Sequence, residues 1–330
     1  MVKRKQIIFD ISFWEEFSKR YAAFMALFDK KAIESAKNWL NFYSLIGRSD
    51  TIWDCTGQQF AEMTNNDKNL AFLWKKHTQG ECGIYFNKGL FSDLKDTLKK
   101  FPLATVFSKE DLSGLTSSYG LININTKNYE QMGFLFVDSG VAIQDGQEWS
   151  WENIKNAISK ANNSMIIVDN YIFKGERNNL YKLLDIILPK SLSGLYYITI
   201  FYIDGNEQSI KNIKDFFRKS RPNLQIKLEL IQTKKDACNA FKTDFHDRAI
   251  ITNNVWIGSG AGFNLLIRED LHYLATKSTT VSVVYPFFAS ESVNWVDSAY
   301  NNLLSDAKKS IIRRGLSSEN CLLNNNSQGL

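Results

Sequence analysis

Apolar residues recur at three- and four-residue spacing through Ile11, Trp14, Phe17, Tyr21, Phe24 and Phe28, the period of a helix that buries one stripe. A short strand candidate, QIIFD, precedes that helix, and a second helical stripe runs through Ile33, Ala36, Trp39, Leu40 and Tyr43. Beyond it the pattern shortens to apolar runs of strand length, TIWDC, CGIYF, LATVF, GLININ and GFLFV. Helices followed by strands predict an α/β or α+β N-terminal domain over 1–146. The stretch DSGVAIQDGQE at 138–148 joins glycines to acids and amides just before a new helix start, which marks the domain boundary.

The second half alternates more regularly. Ser150 can cap a helix that carries Glu152 in its first turn and Trp151, Ile154, Ile158 and Ala161 as its inward stripe. SMIIVD, 164–169, is a continuous apolar strand ending in a polar residue, and residues 178–188 read as a helix stopped by Pro189. Strand 195–203, helix 207–219 and strand 224–231 follow. Short apolar strands separated by helices of this length need crossover connections, so an α/β domain with a mostly parallel sheet covered by helices is predicted over 147–316. No internal repeat interrupts this order, and an Asn/Ser-rich tail, 317–330, is expected to fray.

At 330 residues the chain is longer than single cores usually grow, in keeping with two domains. A hydrophobic fraction of 44% with 13% aromatics supplies both cores and excludes a disordered chain. The start, MVKRKQIIFDIS, has a basic end but no long apolar run before Asp10, so no secretory leader is read, and no run is long enough to span a bilayer. A cytoplasmic location is expected. Cys55, Cys82, Cys238 and Cys321 make no C-x-x-C pair, and with three histidines no zinc spacing can be assembled; they are expected as free, buried thiols. No cofactor or metal is required by this pattern. The net charge of +5 is modest, but residues 211–248 hold ten Lys/Arg against five Asp/Glu. Such a stretch attracts phosphate-bearing partners, or is simply a solvated helix face.

The chemistry concentrates at the end of that basic stretch. Arg248 to Thr252 reads as a strand that turns at Asn253 and Asn254 into a second strand, because an Asn-Asn pair tolerates the backbone of a tight hairpin. Residues two apart share a strand face, so His246 and Arg248 project together while Asp247 points away. An imidazole beside a guanidinium can grip a phosphate oxyanion. Gly258, Gly260 and Gly262 then remove side chains where a ligand or another backbone comes close, with Ser259 between them and Asn264 completing a polar rim. Asp169, closing its strand beside Asn170 and Tyr171, lies where ligands sit at the carboxyl ends of parallel strands. The alternative for His246 is a core histidine bonded to a carbonyl. Tyr171, Trp256 and Phe263 can stack on bases or fill the core.

The spacing from His246 to Asn264 resembles the H-x-K-x4-D-x6-G-S-x-x-N motif of the phospholipase D superfamily. Arg248 stands for the lysine, Asn253 for the aspartate, Gly260 and Ala261 for the Gly-Ser pair, and Asn264 for the asparagine. The run FHDRAIITNNVWIGSG, from Phe245 onward, is also similar to the phospholipase D-like C-terminal domain of microtubule-interacting-and-trafficking proteins and their bacterial relatives. That resemblance implies a phospholipase D-like domain that binds rather than cleaves, with nucleic acid, anionic lipid or a protein as partner. In active members of the superfamily the histidine attacks phosphorus and the lysine neutralises phosphoryl oxygens.

By that resemblance His246, Arg248 and Asn264 would be catalytic if the domain is active. Only one motif is present, since His77 and His272 lack a basic residue two positions on. A phosphodiesterase or nuclease built on His246 would therefore need a homodimer to supply its second histidine. A non-catalytic or weakly active module is the first reading, the homodimeric phosphodiesterase or nuclease with His246 as nucleophile the second, and a structural subunit of a larger assembly, such as one in antiviral defence, the third. Asp10, Asp54 and Asp138 each end or follow an apolar run and could gather a divalent metal, although acids after strands are commonplace at turns.

Overall fold

In the computed structural model the described residues are 6–25, 50–96, 105–128, 139–158, 162–170, 172–173, 179–192, 194–203, 207–233, 248–260, 262–263, 266–269, 272–275, 278–284 and 311–314. They divide into two compact units, one carrying residues 6–128 and the other 139–314.

Five of the apolar runs in the first unit become the strands of one sheet. These are β1 (Gln6–Phe9), β2 (Asp50–Trp53), β3 (Ile84–Phe86), β4 (Thr105–Ser108) and β5 (Ile122–Asn125). Their order is β3-β2-β1-β4-β5 and every pair is parallel, so the unit is α/β. The connections carry α1 (Ile11–Met25), α2 (Gly57–Asn66), α3 (Lys68–Thr78), a 3-10 turn at Leu90–Asp93, and α4 (Ser113–Tyr119). The second helical stripe, 33–43, and the run GFLFV lie outside the described residues.

One face of this sheet is aromatic. The register pairs Phe9 with Trp53 on one side and with Phe107 on the other, and the three rings stack at 4.3 and 4.8 Å. Trp14 of α1 meets Phe9 and Trp53 edge-on at 5.7 and 5.2 Å, the arrangement that ring quadrupoles favour. Ile8, Ile52, Leu90, Leu94, Val106 and Leu121 form a buried cluster elsewhere in the unit, with Leu112, Leu115 and Tyr119 packed on it.

The second unit holds an eight-stranded sheet ordered β15-β9-β8-β7-β10-β11-β14-β6. Its strands are β6 (Ser139–Ile143), β7 (Ser164–Val168), β8 (Leu195–Tyr202), β9 (Gln225–Thr233), β10 (Arg248–Thr252), β11 (Trp256–Ser259), β14 (Thr279–Val284) and β15 (Ile311–Arg314). Between β11 and β14 the strands β12 (Leu266–Glu269) and β13 (His272–Ala275) pair only with each other. Helices α5 (Asn179–Ile187) and α6 (Glu207–Ser220) make the crossovers β7 to β8 and β8 to β9, which are the parallel pairs. Leu183, Leu184 and Ile187 of α5 and Ile210, Ile213 and Phe217 of α6 are buried.

The mostly parallel sheet expected for this unit is corrected to a mixed one. β10 pairs antiparallel with β7 and β11, and β11–β14, β14–β6 and β15–β9 are antiparallel as well. A two-residue turn cannot make a crossover, so the chain reversing at Asn253–Asn254 has to continue antiparallel. Within the stretch 138–148, residues 139–143 form edge strand β6 of this sheet, and the two units divide at the start of that stretch. The helix expected after Ser150 is a 3-10 helix, Trp151–Ala157, and Ser150 caps it by accepting from the Glu152 N–H. No helix among the described residues is long and apolar enough to cross a membrane.

Candidate anion-recognition site

The β7–β8–β9 strands end together, and β10 and β11 lie beside them, β10 running opposite to β7. The paired registers put Tyr202 beside Gln232 and Arg248 beside Ser259. Extending the β7–β8 and β7–β10 pairing by one residue brings Asp169 between Tyr202 and Arg248. Residues in register across neighbouring strands share a face. A polar row, Gln232, Tyr202, Asp169, Arg248 and Ser259, therefore crosses five strands at the carboxyl ends of the parallel ones. The row before the last on this face is apolar, with Leu230, Ile200, Ile167, Ile250 and Ile257 all buried.

Tyr202, Asp169 and Ser259 are buried, while Arg248 and Gln232 are half-buried. The Arg248 Nη1 donates to the Gly260 carbonyl at 3.2 Å. Asp169 Oδ2 accepts the Phe263 N–H at 2.9 Å, and the Asp169 N–H continues the ladder to the Phe201 carbonyl at 3.1 Å. Tyr202 donates to Gln232 Oε1 at 3.5 Å and lies edge-on to Phe173. Beside the row, Asn170 Oδ1 is buried without a hydrogen-bond partner. A guanidinium opening from a buried polar row can hold an oxyanion in two N–H bonds.

Of the residues singled out from sequence, Arg248, Asp169, Ser259 and Gly260 come together here. His246 and Asn264 lie outside the described residues, as do Ala261, Tyr171, Asp138 and the part of the basic stretch between β9 and β10, 234–247. Asn253 does not join them. It stands past the opposite end of β10, about 16 Å along the strand from Arg248. There its side-chain oxygen accepts the N–H groups of Asn163 and Ser164 at 2.9 and 3.0 Å, and its Nδ2 donates to Asn163 Oδ1 at 2.8 Å. The amide thus splices the start of β7 to the hairpin turn. Gly258 also serves packing, since a Cβ there would fall 2.3 Å from the Trp256 ring. Phe263 is fully buried, 6.2 Å from the Trp151 ring, and so belongs to the core.

Tyr202 and Gln232 were not among the sequence candidates. Their signal was positional, because each is the polar residue that follows a buried apolar run at a strand's carboxyl end. The basic stretch is partly spent within the unit: Arg218 pairs with Asp215, Arg221 with Asp185, and Lys227 lies over the Tyr197 ring. Lys211 and Lys214 stay exposed on α6. A separate cavity of about 390 Å³ opens between the 3-10 helix, α5 and α6, lined by Trp151, Tyr181 and Phe216 with Glu152 and Asp185. Both of its carboxylates are held in ion pairs, to Lys155 and Arg221, and no member of the polar row lines it.

In the first unit the strand-end carboxylates are engaged by backbone. Asp10 accepts from Ser12 N at 2.8 Å, capping α1, and from Lys109 N at 2.9 Å. Asp54 accepts from Gly89, Leu90 and Phe91 N at 2.5, 3.1 and 3.4 Å. Among the described residues no cluster of metal-ligating side chains forms. Cys55 is buried as expected, but Cys82 is only half-buried.

No protein-family model and no curated protein sequence matches the chain. Among solved structures it is similar to a polyphosphate kinase from Porphyromonas gingivalis, at 11% identity and a TM-score of 0.30. The similarity covers 56% of this chain and spans 29% of that protein's length, and is too slight to assign fold or function. The class that the fold and the site define is accordingly a coarse one: an α/β chain with one parallel and one mixed sheet, whose polar strand-end row carries a single arginine.

Proposed function

We propose that the second unit is a phospholipase D-like module that recognises a phosphate-bearing ligand, nucleic acid or anionic lipid, without cleaving it. The observation that carries this reading is Arg248, the one cation in a polar row that ends the parallel strands beside buried Asp169 and Ser259. Open α/β sheets bind ligands outside the carboxyl ends of their strands, and a guanidinium there selects phosphate by charge and by its forked donors. The motif resemblance adds His246 and Asn264 from sequence alone. The reading as a binder rather than an enzyme draws on Asn253, which replaces the motif's acid and already has its amide engaged in joining β7 to the hairpin.

The test is a titration of labelled single- and double-stranded DNA and RNA, and of phosphatidylserine vesicles, between about 50 and about 200 mM salt. Affinity for one of these should fall steeply with salt, and Arg248→Ala should weaken it by tenfold or more, on the order of one charged hydrogen bond. Arg248→Lys, which keeps the charge but loses the fork, should fall between. A response flat in salt, or unchanged in Arg248→Ala, overturns the reading. So does oligonucleotide cleavage that disappears in His246→Ala, which would make the unit a nuclease.

A further inference from the structure

β11 and β14 are neighbours in the sheet, yet the chain between them makes an excursion. Ser259 pairs with Val281, and the Gly260 N–H donates to the Thr280 carbonyl at 3.4 Å. Between Gly260 and Thr279 the described residues hold the separate β12–β13 ribbon, paired from Leu266↔Ala275 to Glu269↔His272. The ribbon therefore departs and returns at the end of the sheet where Arg248 stands.

Its root is tied by both charged members of the polar row. Arg248 Nη1 holds the Gly260 carbonyl, and Asp169 Oδ2 holds the Phe263 N–H, with Phe263 itself buried beside Trp151. The two ties differ in chemistry. The tie to Asp169 spends a carboxylate on an amide, which an anionic ligand cannot replace. The tie to Arg248 gives one guanidinium N–H to a neutral carbonyl, whereas a phosphate brings negative charge and paired oxygens that match the guanidinium fork.

We propose that the β12–β13 ribbon is a ligand-responsive arm: a phosphate that engages Arg248 displaces the Gly260 carbonyl and loosens the ribbon's root. This inference rests on the phosphate reading of the same site. Ligand energy is then coupled to the local opening of one segment while the sheet stays closed. The Asp169 tie keeps the root from detaching altogether.

Hydrogen exchange on the full chain tests it, with inorganic phosphate and a 5′-phosphorylated single-stranded oligonucleotide as probes and calorimetry on the same samples to score binding. With either probe bound, amide exchange across 260–280 should rise about tenfold, the equivalent of one such tie, while β7, β8 and β9 stay unchanged. Arg248→Gln without a probe should show the same rise and no further response. Should that variant fold poorly, Arg248→Lys, with one compact donor group, should show a smaller rise. Binding that leaves exchange across 260–280 unchanged or slower overturns the arm alone. Exchange at the wild-type level in the probe-free variants overturns the tie. If neither probe binds, the arm fails as stated, and the phosphate reading fails with it only if phosphatidylserine vesicles do not bind either.

Discussion

The two sheets end their parallel strands in the same way and use those ends differently. In the first unit the register carries Asn87, Asp54, Asp10, Ser108 and Asn125 into one row just beyond the stacked Trp53, Phe9 and Phe107. In the second the row is Gln232, Tyr202, Asp169, Arg248 and Ser259. Both rows are polar caps on an apolar layer, and both put carboxylates where ligands usually bind. The first has no cation. Its carboxylates turn to backbone N–H groups, Asp10 to Ser12 and Lys109 and Asp54 to the turn at 89–91, which fastens loops over the strand ends. The second has Arg248, whose guanidinium gives the row a group that can take up an anion. The strand-end acids thus fasten backbone in both rows, and only the second row adds a cation.

The largest effect that would break this contrast is expected at Asp54. Asp54→Ala strips the acceptor from three N–H groups that lead into Leu90, a member of a buried cluster. Loss of about 3 kcal/mol is expected from hydrogen bonds to a charged acceptor, read as a lower urea midpoint for the first unit. Binding of phosphate-bearing probes by the folded fraction should not change. If stability holds and binding falls, Asp54 belongs to a ligand site and the fastening role is wrong.

A smaller effect is expected at the buried thiol that follows Asp54. Cys55, next to Asp54, has its thiol pushed from 9.0 up to about 11, first by burial and then by the neighbouring carboxylate. Here the folded state holds the proton more tightly than the unfolded chain. Above pH 9 the unfolded chain releases its thiol proton while the folded one keeps it, so stability falls as pH rises toward 11. A thiol held that far above its ordinary value costs the fold about 2 to 3 kcal/mol at the upper end of this range. Unfolding of wild type and Cys55→Ala, compared at about pH 8 and about pH 10.5, should show wild type losing the larger share. Equal losses would mean that the thiol ionises freely in the folded protein.

Local chemistry was legible in the sequence, and register was not. The β10–β11 hairpin and its Asn253–Asn254 turn follow from an apolar run, a turn-forming pair and a second apolar run, all within neighbouring residues. β7, α5, β8, α6 and β9 were legible for the same reason. Tyr202 and Gln232 join the row only because β8 and β9 stop level with β7, and that depends on pairing between segments far apart in the chain. β6 and β15 are short edge strands whose partners lie far away in sequence, so nothing local marks them. The packing role of Gly258 was also not legible. Residues two apart share a strand face, and its lack of a side chain makes room for the indole of Trp256 rather than for a ligand.

The smallest effect bears on whether the second unit's row is incomplete for catalysis or arranged for binding. Asn253→Asp introduces a carboxylate where the phospholipase D motif that this stretch resembles has one. The substituted oxygen can still accept from Asn163 and Ser164 N–H, but the donation from Nδ2 to Asn163 Oδ1 is lost and two oxygens are brought together. A cost of about 1 kcal/mol is expected, the net worth of one hydrogen bond, seen as a modest drop in the unfolding midpoint of the second unit. Because the position lies about 16 Å along β10 from Arg248, oligonucleotide affinity should stay at the wild-type level and no cleavage should appear. Cleavage in this variant would show that the residue at 253 governs the chemistry of the site through the strand, and that the unit is an enzyme lacking one acid.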